Sequence, residues 1–419
     1  MHLVPVDTYL TFGNGKKRPA DEGNGTFNVF GSNGVIGHCD EFNNPAGTII
    51  IGRVGSYCGS VHYSPEQCWV TDNAIKGNTK TGADARYCYY LLLTKDLHAL
   101  RGGSGQPLIN QTSLKSLEVP ERSFADQKAI AHILGTLDDK IELNQKMNQT
   151  LEGIAKAIFK SWFVDFDPVR AKAEGRPTGL PPEISDLFPD ELVDSEIGEI
   201  PKGWVVTPLS ECAIEIESGR RPKGGIDKSL RQGIPSVGAE SIAPAGEFDF
   251  SKVKYVTADF AEKMKKGRVQ NFDVALYKDG GKPGQFIPRV GIYGNGFPFE
   301  HFYVNEHVFL LRSEQLGQSL LYRLISSRAF LDQLIAKGSA KAAQPGLNQT
   351  EVVESTFVRP SRDALAAFND KTRPLLKRQF LLGKENETLS ELRDTLLPKL
   401  ISGELRIPDA EKFLEEAGI

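Results

Sequence analysis

The chain repeats itself. Gln106-Pro107-Leu108-Ile109-Asn110-Gln111-Thr112 returns as Gln344-Pro345-Gly346-Leu347-Asn348-Gln349-Thr350, an offset of 238 residues, and Asn148-Gln149-Thr150-Leu151 returns as Asn386-Glu387-Thr388-Leu389 at the same offset of 238. Ile154 pairs with Leu392, Ile158 with Leu396 and Phe159 with Leu397 in that register. One offset holding across two separated blocks requires two copies of one unit. Upstream the match is looser but keeps its order. The turn Gly13-Asn14-Gly15-Lys16-Lys17-Arg18-Pro19 is similar to Ser218-Gly219-Arg220-Arg221-Pro222-Lys223. Thr48-Ile49-Ile50-Ile51-Gly52-Arg53-Val54-Gly55 then answers to Asp273-Val274-Ala275-Leu276-Tyr277-Lys278-Asp279-Gly280, and Val70-Thr71-Asp72-Asn73 to Val304-Asn305-Glu306-His307.

Each half therefore predicts a strand-rich globular module followed by a helical segment. Short β-rich runs at 48–51, 253–257 and 304–311, punctuated by glycine, suggest a mixed α+β module with long loops. The order of strands within the sheets is not legible from these runs.

The helical segments carry a different period. Between Phe124 and Phe163 there is no proline, and Leu134, Leu137, Ile141, Asn144, Asn148, Leu151, Ala155, Ile158 and Trp162 follow one another at alternating steps of three and four. That is a heptad seam with two asparagines in it, which cost stability and specify register. The second copy places Leu375, Gln379, Leu382, Asn386, Leu389, Arg393, Leu396 and Leu400 at equivalent positions. Either helix alone could lie amphipathically on its own module. Two seams in one chain, each poorly satisfied alone, favour pairing with one another as an antiparallel coiled coil. A helix of about 40 residues spans roughly 60 Å at its rise per residue, so such a pair acts as a ruler between two recognition modules.

Length and composition bound what else the chain can be. Its 419 residues, 40% apolar and 25% charged, suit a soluble protein of two to three domains. No apolar run approaches the ~18 residues of a membrane span, and the opening segment lacks a basic-then-apolar leader, so a cytoplasmic protein without membrane contact is expected. Cys39, Cys58, Cys68, Cys88 and Cys212 show no paired spacing and read as reduced thiols rather than zinc ligands. The net charge of −4 excludes a uniformly basic nucleic-acid binder. It conceals a division, however. Between Asp165 and Ile200 stand ten acidic residues against three basic ones, an excess larger than that of the whole chain, so the remainder is net positive. Five prolines in that stretch, Pro168, Pro177, Pro181, Pro182 and Pro189, predict an extended, irregular acidic linker.

No catalytic constellation is present in the sequence. Gly13-Asn14-Gly15-Lys16-Lys17 lacks the upstream glycine and the hydroxyl residue of a phosphate-binding loop. There is no Asp/Asn-Pro-Pro-Tyr/Phe run of the kind amino-methyltransferases use, and no dinucleotide-binding glycine fingerprint. The seven histidines are scattered, and no metal site is expected. What remains is charge in loops. Lys16, Lys17 and Arg18 lie in one turn, and Arg220, Arg221 and Lys223 in its counterpart. Arg53 follows a strand between glycines, while Lys278 and Lys282 bracket the corresponding glycines of the second half. A further group, Lys263, Lys265, Lys266 and Arg268, precedes Gln270 and Asn271. Such cations neutralise phosphates, and arginine can also read guanine edges. One such cluster alone would be an ordinary solvated face; recurrence in both copies points to DNA.

Several runs resemble one family, the specificity subunits of type I restriction-modification systems. Asp126-Gln127-Lys128-Ala129-Ile130-Ala131, Leu137-Asp138-Asp139-Lys140-Ile141-Glu142-Leu143-Asn144, Leu151-Glu152-Gly153-Ile154-Ala155 and Ser161-Trp162-Phe163-Val164-Asp165-Phe166-Asp167-Pro168-Val169 are similar to the family's central conserved region. Leu396-Leu397-Pro398-Lys399-Leu400-Ile401-Ser402-Gly403-Glu404-Leu405 resembles its C-terminal helix, and Ile200-Pro201-Lys202-Gly203-Trp204 the opening of its second target recognition domain. The first half lacks a matching opening before Thr8. The resemblance implies an α+β chain with a pseudo-twofold internal repeat. A first target recognition domain would occupy 1–120, a central helical region 121–165, the acidic linker 166–200, a second recognition domain 201–358 and a C-terminal helical region 359–419. It implies no catalytic residue and no cofactor in this chain. Each recognition domain would read one half of an asymmetric bipartite site on double-stranded DNA. The helices would set the spacer and dock two modification (methyltransferase) subunits, which bring S-adenosylmethionine. Restriction subunits would bring ATP- and Mg-dependent translocation and cleavage. Two other readings stay open at this point: a scaffold holding two protein-ligand modules on a coiled coil, and an enzyme with an unrecognised site.

Overall fold

A computed structural model describes residues 2–19, 25–102, 107–227, 229–282, 284–341, 344–416 and 418. Gln106, which opens the first repeat block, lies outside the described residues. The chain divides into two compact units, residues 1–141 with 388–419 and residues 142–387. No helix among the described residues is long and apolar enough to cross a membrane.

The first unit contains strands β1 (Leu10–Asn14), β2 (Phe27–Gly31), β3 (Gly34–Cys39), β4 (Thr48–Gly52), β5 (Val61–Ser64), β6 (Cys68–Val70) and β7 (Ala74–Thr79). One antiparallel sheet runs β1-β7-β4-β5, and a second runs β3-β2-β6 with β2 and β6 parallel. β4 is buried along its whole length, because its alternate side chains serve two different cores. Ile49 and Ile51 pack with Tyr87, Tyr90 and Leu91 of the helix Ala85–Leu93, whereas Ile50 packs with Phe30, Cys68 and Val70. A strand covered on both faces has to be a continuous apolar run, and Thr-Ile-Ile-Ile-Gly is one.

The second unit repeats that plan. Its strands β8 (Glu215–Ser218), β9 (Ile234–Val237), β10 (Lys254–Val256), β11 (Asp273–Tyr277), β12 (Val290–Tyr293), β13 (Tyr303–Val304) and β14 (Val308–Arg312) form the sheets β8-β14-β11-β12 and β10-β9-β13, the pair β9–β13 again parallel. β11 again divides its side chains, Val274 and Leu276 to one cluster and Ala275 to another. Strand for strand, the looser sequence matches are structural equivalences.

The Asn-Gln-Thr block proves to be architectural. Asn110 caps the helix Gln111–Lys115 by accepting from the Ser113 amide, and Asn348 caps Gln349–Val353 by accepting from Glu351. Gln349 Nε2 then donates to the carbonyl of Ile216 in β8 at 3.3 Å. Gln111, with its amide oriented to satisfy both ends, donates to the carbonyl of Phe12 in β1 at 3.0 Å.

The two long helices, Phe124–Phe163 and Arg362–Ser402, run 40 and 41 residues, and each contributes to both units. Within the first unit, Leu134 and Leu137 are fully buried in one cluster with Leu389, Leu396 and Leu400, and Ile141 packs half-buried against it. Arg393 pairs with Asp138 at 2.8 Å. Within the second unit, Asn144 bonds Asn386 and Gln379 donates to the carbonyl of Asn148. In both units the residue number rises on one helix as it falls on the other, so the pairing is antiparallel. Asn148 and Leu382 are buried there, while Leu151 and Ile158 are half-buried. One seam position shifts by a residue: Leu375 is half-buried, and it is Leu376 that reaches the core.

The acidic stretch corrects an expectation. Residues 166–200 are not an extended linker: they hold the helices Asp167–Ala173 and Pro182–Ser185 and a strand pair, Leu192–Ser195 with Gly198–Pro201. Phe166, Val169 and Phe188 are buried in one core with Trp162, Phe163, Trp204 and Phe368. Ring centroids lie 5.1 Å apart for Trp162 and Phe188 and 5.8 Å apart for Phe166 and Trp204. Pro168 and Pro182 start helices, where the missing amide donor costs nothing, and most of the carboxylates face water while the aromatic residues between them turn inward.

Candidate nucleic-acid interface

In the first unit, the chain leaving β1 passes so close to the β6–β7 turn that only glycine fits. A Cβ on Gly15 would lie 2.0 Å from the carbonyl oxygen of Thr71. The Lys16 amide donates to Val70 at 3.0 Å, and Lys16, Lys17 and Arg18 emerge exposed beside that turn. From the end of β4, the amide of Arg53 donates to Asn73 at 3.0 Å and its guanidinium to the carbonyl of Asp72 at 3.3 Å. Cations from two distant segments thus gather around residues 70–74.

The second unit builds the same arrangement. A Cβ on Gly219 would lie 1.6 Å from the Val304 carbonyl, and one on Gly267, whose φ is +85°, would lie 2.3 Å from the Gly219 Cα. That double contact sets Lys265, Lys266 and Arg268 beside Arg220, Arg221 and Lys223, all exposed. Lys278 is the structural counterpart of Arg53. Its amide donates to His307 at 3.0 Å as that of Arg53 does to Asn73, and its carbonyl accepts from Leu347 at 2.7 Å as that of Arg53 accepts from Ile109 at 3.1 Å.

The nine candidate cations are not equally available. Lys278 keeps its ammonium 4.9 Å from the centre of the Phe309 ring and 3.9 Å from Asp279, with its side chain 22% exposed. Arg53 is half-buried. Lys282 stands exposed on a short hairpin, Gly281–Lys282 with Gln285–Phe286. Arg221 meets Glu306 at 2.7 Å.

The segments that flank the two faces differ in charge. In the second unit Val304 bonds to the Gly267 carbonyl, within the basic segment 263–268; in the first, the equivalent Val70 bonds to Asn43, which follows Asp40 and Glu41. Sequence reasoning missed the acids at the heart of each face, Asp72 and Glu306, although the aligned blocks placed them at one position. It had weighed the cations alone.

No group of three or more metal-ligating side chains occurs among the described residues. All five thiols are buried, and burial pushes Cys88 up to about 12, far from a reactive thiolate. The arrangement can bind polyanions and present guanidinium groups to base edges.

The chain thus holds two copies of one sheet-and-helix module, each gathering cations around the same turn. Residues 11–153 match the family described as the type I restriction modification DNA specificity domain. The MjaIX type I restriction enzyme specificity subunit of Methanocaldococcus jannaschii is 28% identical over 340 residues, which cover 79% of this chain and 71% of that protein. The HindI specificity subunit of Haemophilus influenzae is 26% identical over 340 residues, covering 72% and 71%. The crystal structure of a type I restriction-modification S subunit from M. genitalium superposes with a TM-score of 0.61 at 18% identity over 96% of both chains, a likeness of fold. The chain is thus similar, over most of its length, to type I restriction enzyme specificity subunits.

Proposed function

We propose that this chain selects DNA sequence for a type I restriction-modification complex, each unit engaging one half of an asymmetric bipartite site. The observation that carries this reading is the repeated topology, in which one turn gathers cations in both units while the side chains around it differ. Equal scaffolds place the groups alike, and unlike side chains give each half its own preference. Phosphate contacts come from Lys16, Lys17, Arg18, Arg220, Lys223 and Lys282, with Arg53, Arg221 and Lys278 held nearer the fold. The paired helices offer docking surface to two modification subunits. The chain is a recognition subunit and not itself an enzyme. S-adenosylmethionine belongs to the modification partners, and ATP and Mg to the restriction partners. A non-DNA scaffold finds no support among the relatives.

Co-expression with the modification subunit, followed by single-molecule sequencing for modified adenine, tests this. A split motif with two defined halves and a constant gap is expected. A continuous or palindromic motif, or none, overturns the reading.

A further inference from the structure

Arg220 and Arg221 are neighbours with different surroundings. Arg220 is exposed and has no ion-pair partner among the described residues. Arg221 presents its Nε to Glu306 Oε1 at 2.7 Å while its side chain stays 59% exposed. The Glu306 carboxylate oxygens are themselves covered from solvent and accept no hydrogen bond among the described residues, so Arg221 and His307 meet them as charge contacts. His307 Nε2 lies 3.3 Å from the same oxygen, and His307 Nδ1 lies 3.0 Å from Asp279 Oδ2. The turn beneath is rigid: the buried Asn305 accepts from the His307 amide at 2.9 Å, and its own amide donates to Val237 at 3.0 Å.

A covered carboxylate needs its countercharge, because removing the partner strands it in a poorly solvated place. The ion pair therefore tethers Arg221 beside this carboxylate, a restraint that Arg220 lacks, while the Arg221 side chain stays open to a ligand. A guanidinium held in this way can match the O6 and N7 acceptors of guanine in the major groove with its fork of donors. The first unit has Lys17 at the matching place, a point charge without a fork.

We propose that Arg221 reads a guanine in the half-site engaged by the second unit, and that Glu306 is the positioning residue that aims it. This rests on the DNA-selecting reading above. The test is selection of bound duplexes from a randomised library by the full chain with its modification subunits, comparing wild type with Arg221→Lys, Glu306→Gln and Arg220→Ala. Wild type is expected to require guanine at one position of that half-site. Arg221→Lys should lose that preference by about tenfold or more. Glu306→Gln should relax the same position, and Arg220→Ala should weaken all duplexes alike. An unchanged base profile in Arg221→Lys overturns the assignment of the reader. An unchanged profile in Glu306→Gln overturns the positioning role. If wild type selects no sequence at all, the DNA-selecting reading itself has failed and the assignment falls with it.

Discussion

Asn144 donates its side-chain amide to Asn386 at 3.0 Å, joining the two long helices through two seam asparagines that are not repeat equivalents, Asn386 being the counterpart of Asn148. Asn144→Leu alone removes the donor to Asn386 and is expected to destabilise the second unit by about 1 kcal/mol. The double replacement Asn144→Leu with Asn386→Leu should recover that loss, since an apolar pair suits a seam better than an amide pair. Thermal melting of the two variants decides it: if single and double lower the midpoint equally, the asparagines are not coupled.

Phe188 distinguishes a folded segment from a tether. It is 2% exposed and packs on Trp162 from within the acidic stretch. Phe188→Ala is expected to cost about 3–5 kcal/mol, the usual loss for a buried phenylalanine. Denaturant unfolding measures it, and a variant as stable as wild type would restore the linker.

Glu152 and Arg323 form a buried pair in the second unit, with side chains 14% and 2% exposed. Burial alone would raise the Glu152 carboxyl, but the hydrogen bonds and charge of Arg323 outweigh it and hold the group below its ordinary value of about 4.5. A depressed folded-state value contributes stability that is present above the unfolded value and lost as pH falls through the folded one. Acid unfolding monitored below pH 4.5 should therefore flatten in Glu152→Gln. Arg323→Met, which strands the carboxylate, should cost about 3–5 kcal/mol at neutral pH.

Salt dependence reports phosphate contacts. Lys265→Ala with Lys266→Ala is expected to lower the slope of log affinity against log salt by about 1–2, without changing which sequences are preferred. Titration at several ionic strengths measures this. A slope equal to that of wild type would remove these lysines from the interface.

What could be read from sequence was what repeats. The aligned blocks at Thr48 and Asp273 became central strands β4 and β11, because a strand buried on both faces leaves a run of apolar residues that survives changes in its neighbours. The heptad of Leu134, Leu137 and Asn144 was legible because helix pairing imposes a period. The order of strands was not, since β6 and β13 are only three and two residues long and pair in parallel with partners far off in the chain. Phe166, Val169 and Phe188 were hidden by the acids and prolines around them: composition averages over a segment, while packing depends on which few side chains turn inward. Asp72 and Glu306 were passed over because a search for cations weighs acids as background. Only contact geometry reveals a carboxylate enclosed by an arginine and a histidine.

The crossing of Gly219 over Gly267 has a kinetic consequence. A Cβ on Gly267 would meet the Gly219 Cα, and one on Gly219 would meet the Val304 carbonyl, so the basic turn and the basic segment beside it cannot adjust independently. Their cations meet a ligand already arranged, so little loop entropy remains to be lost on association. Variants and sequences that differ in affinity at this half-site should then differ in residence time while sharing one association rate.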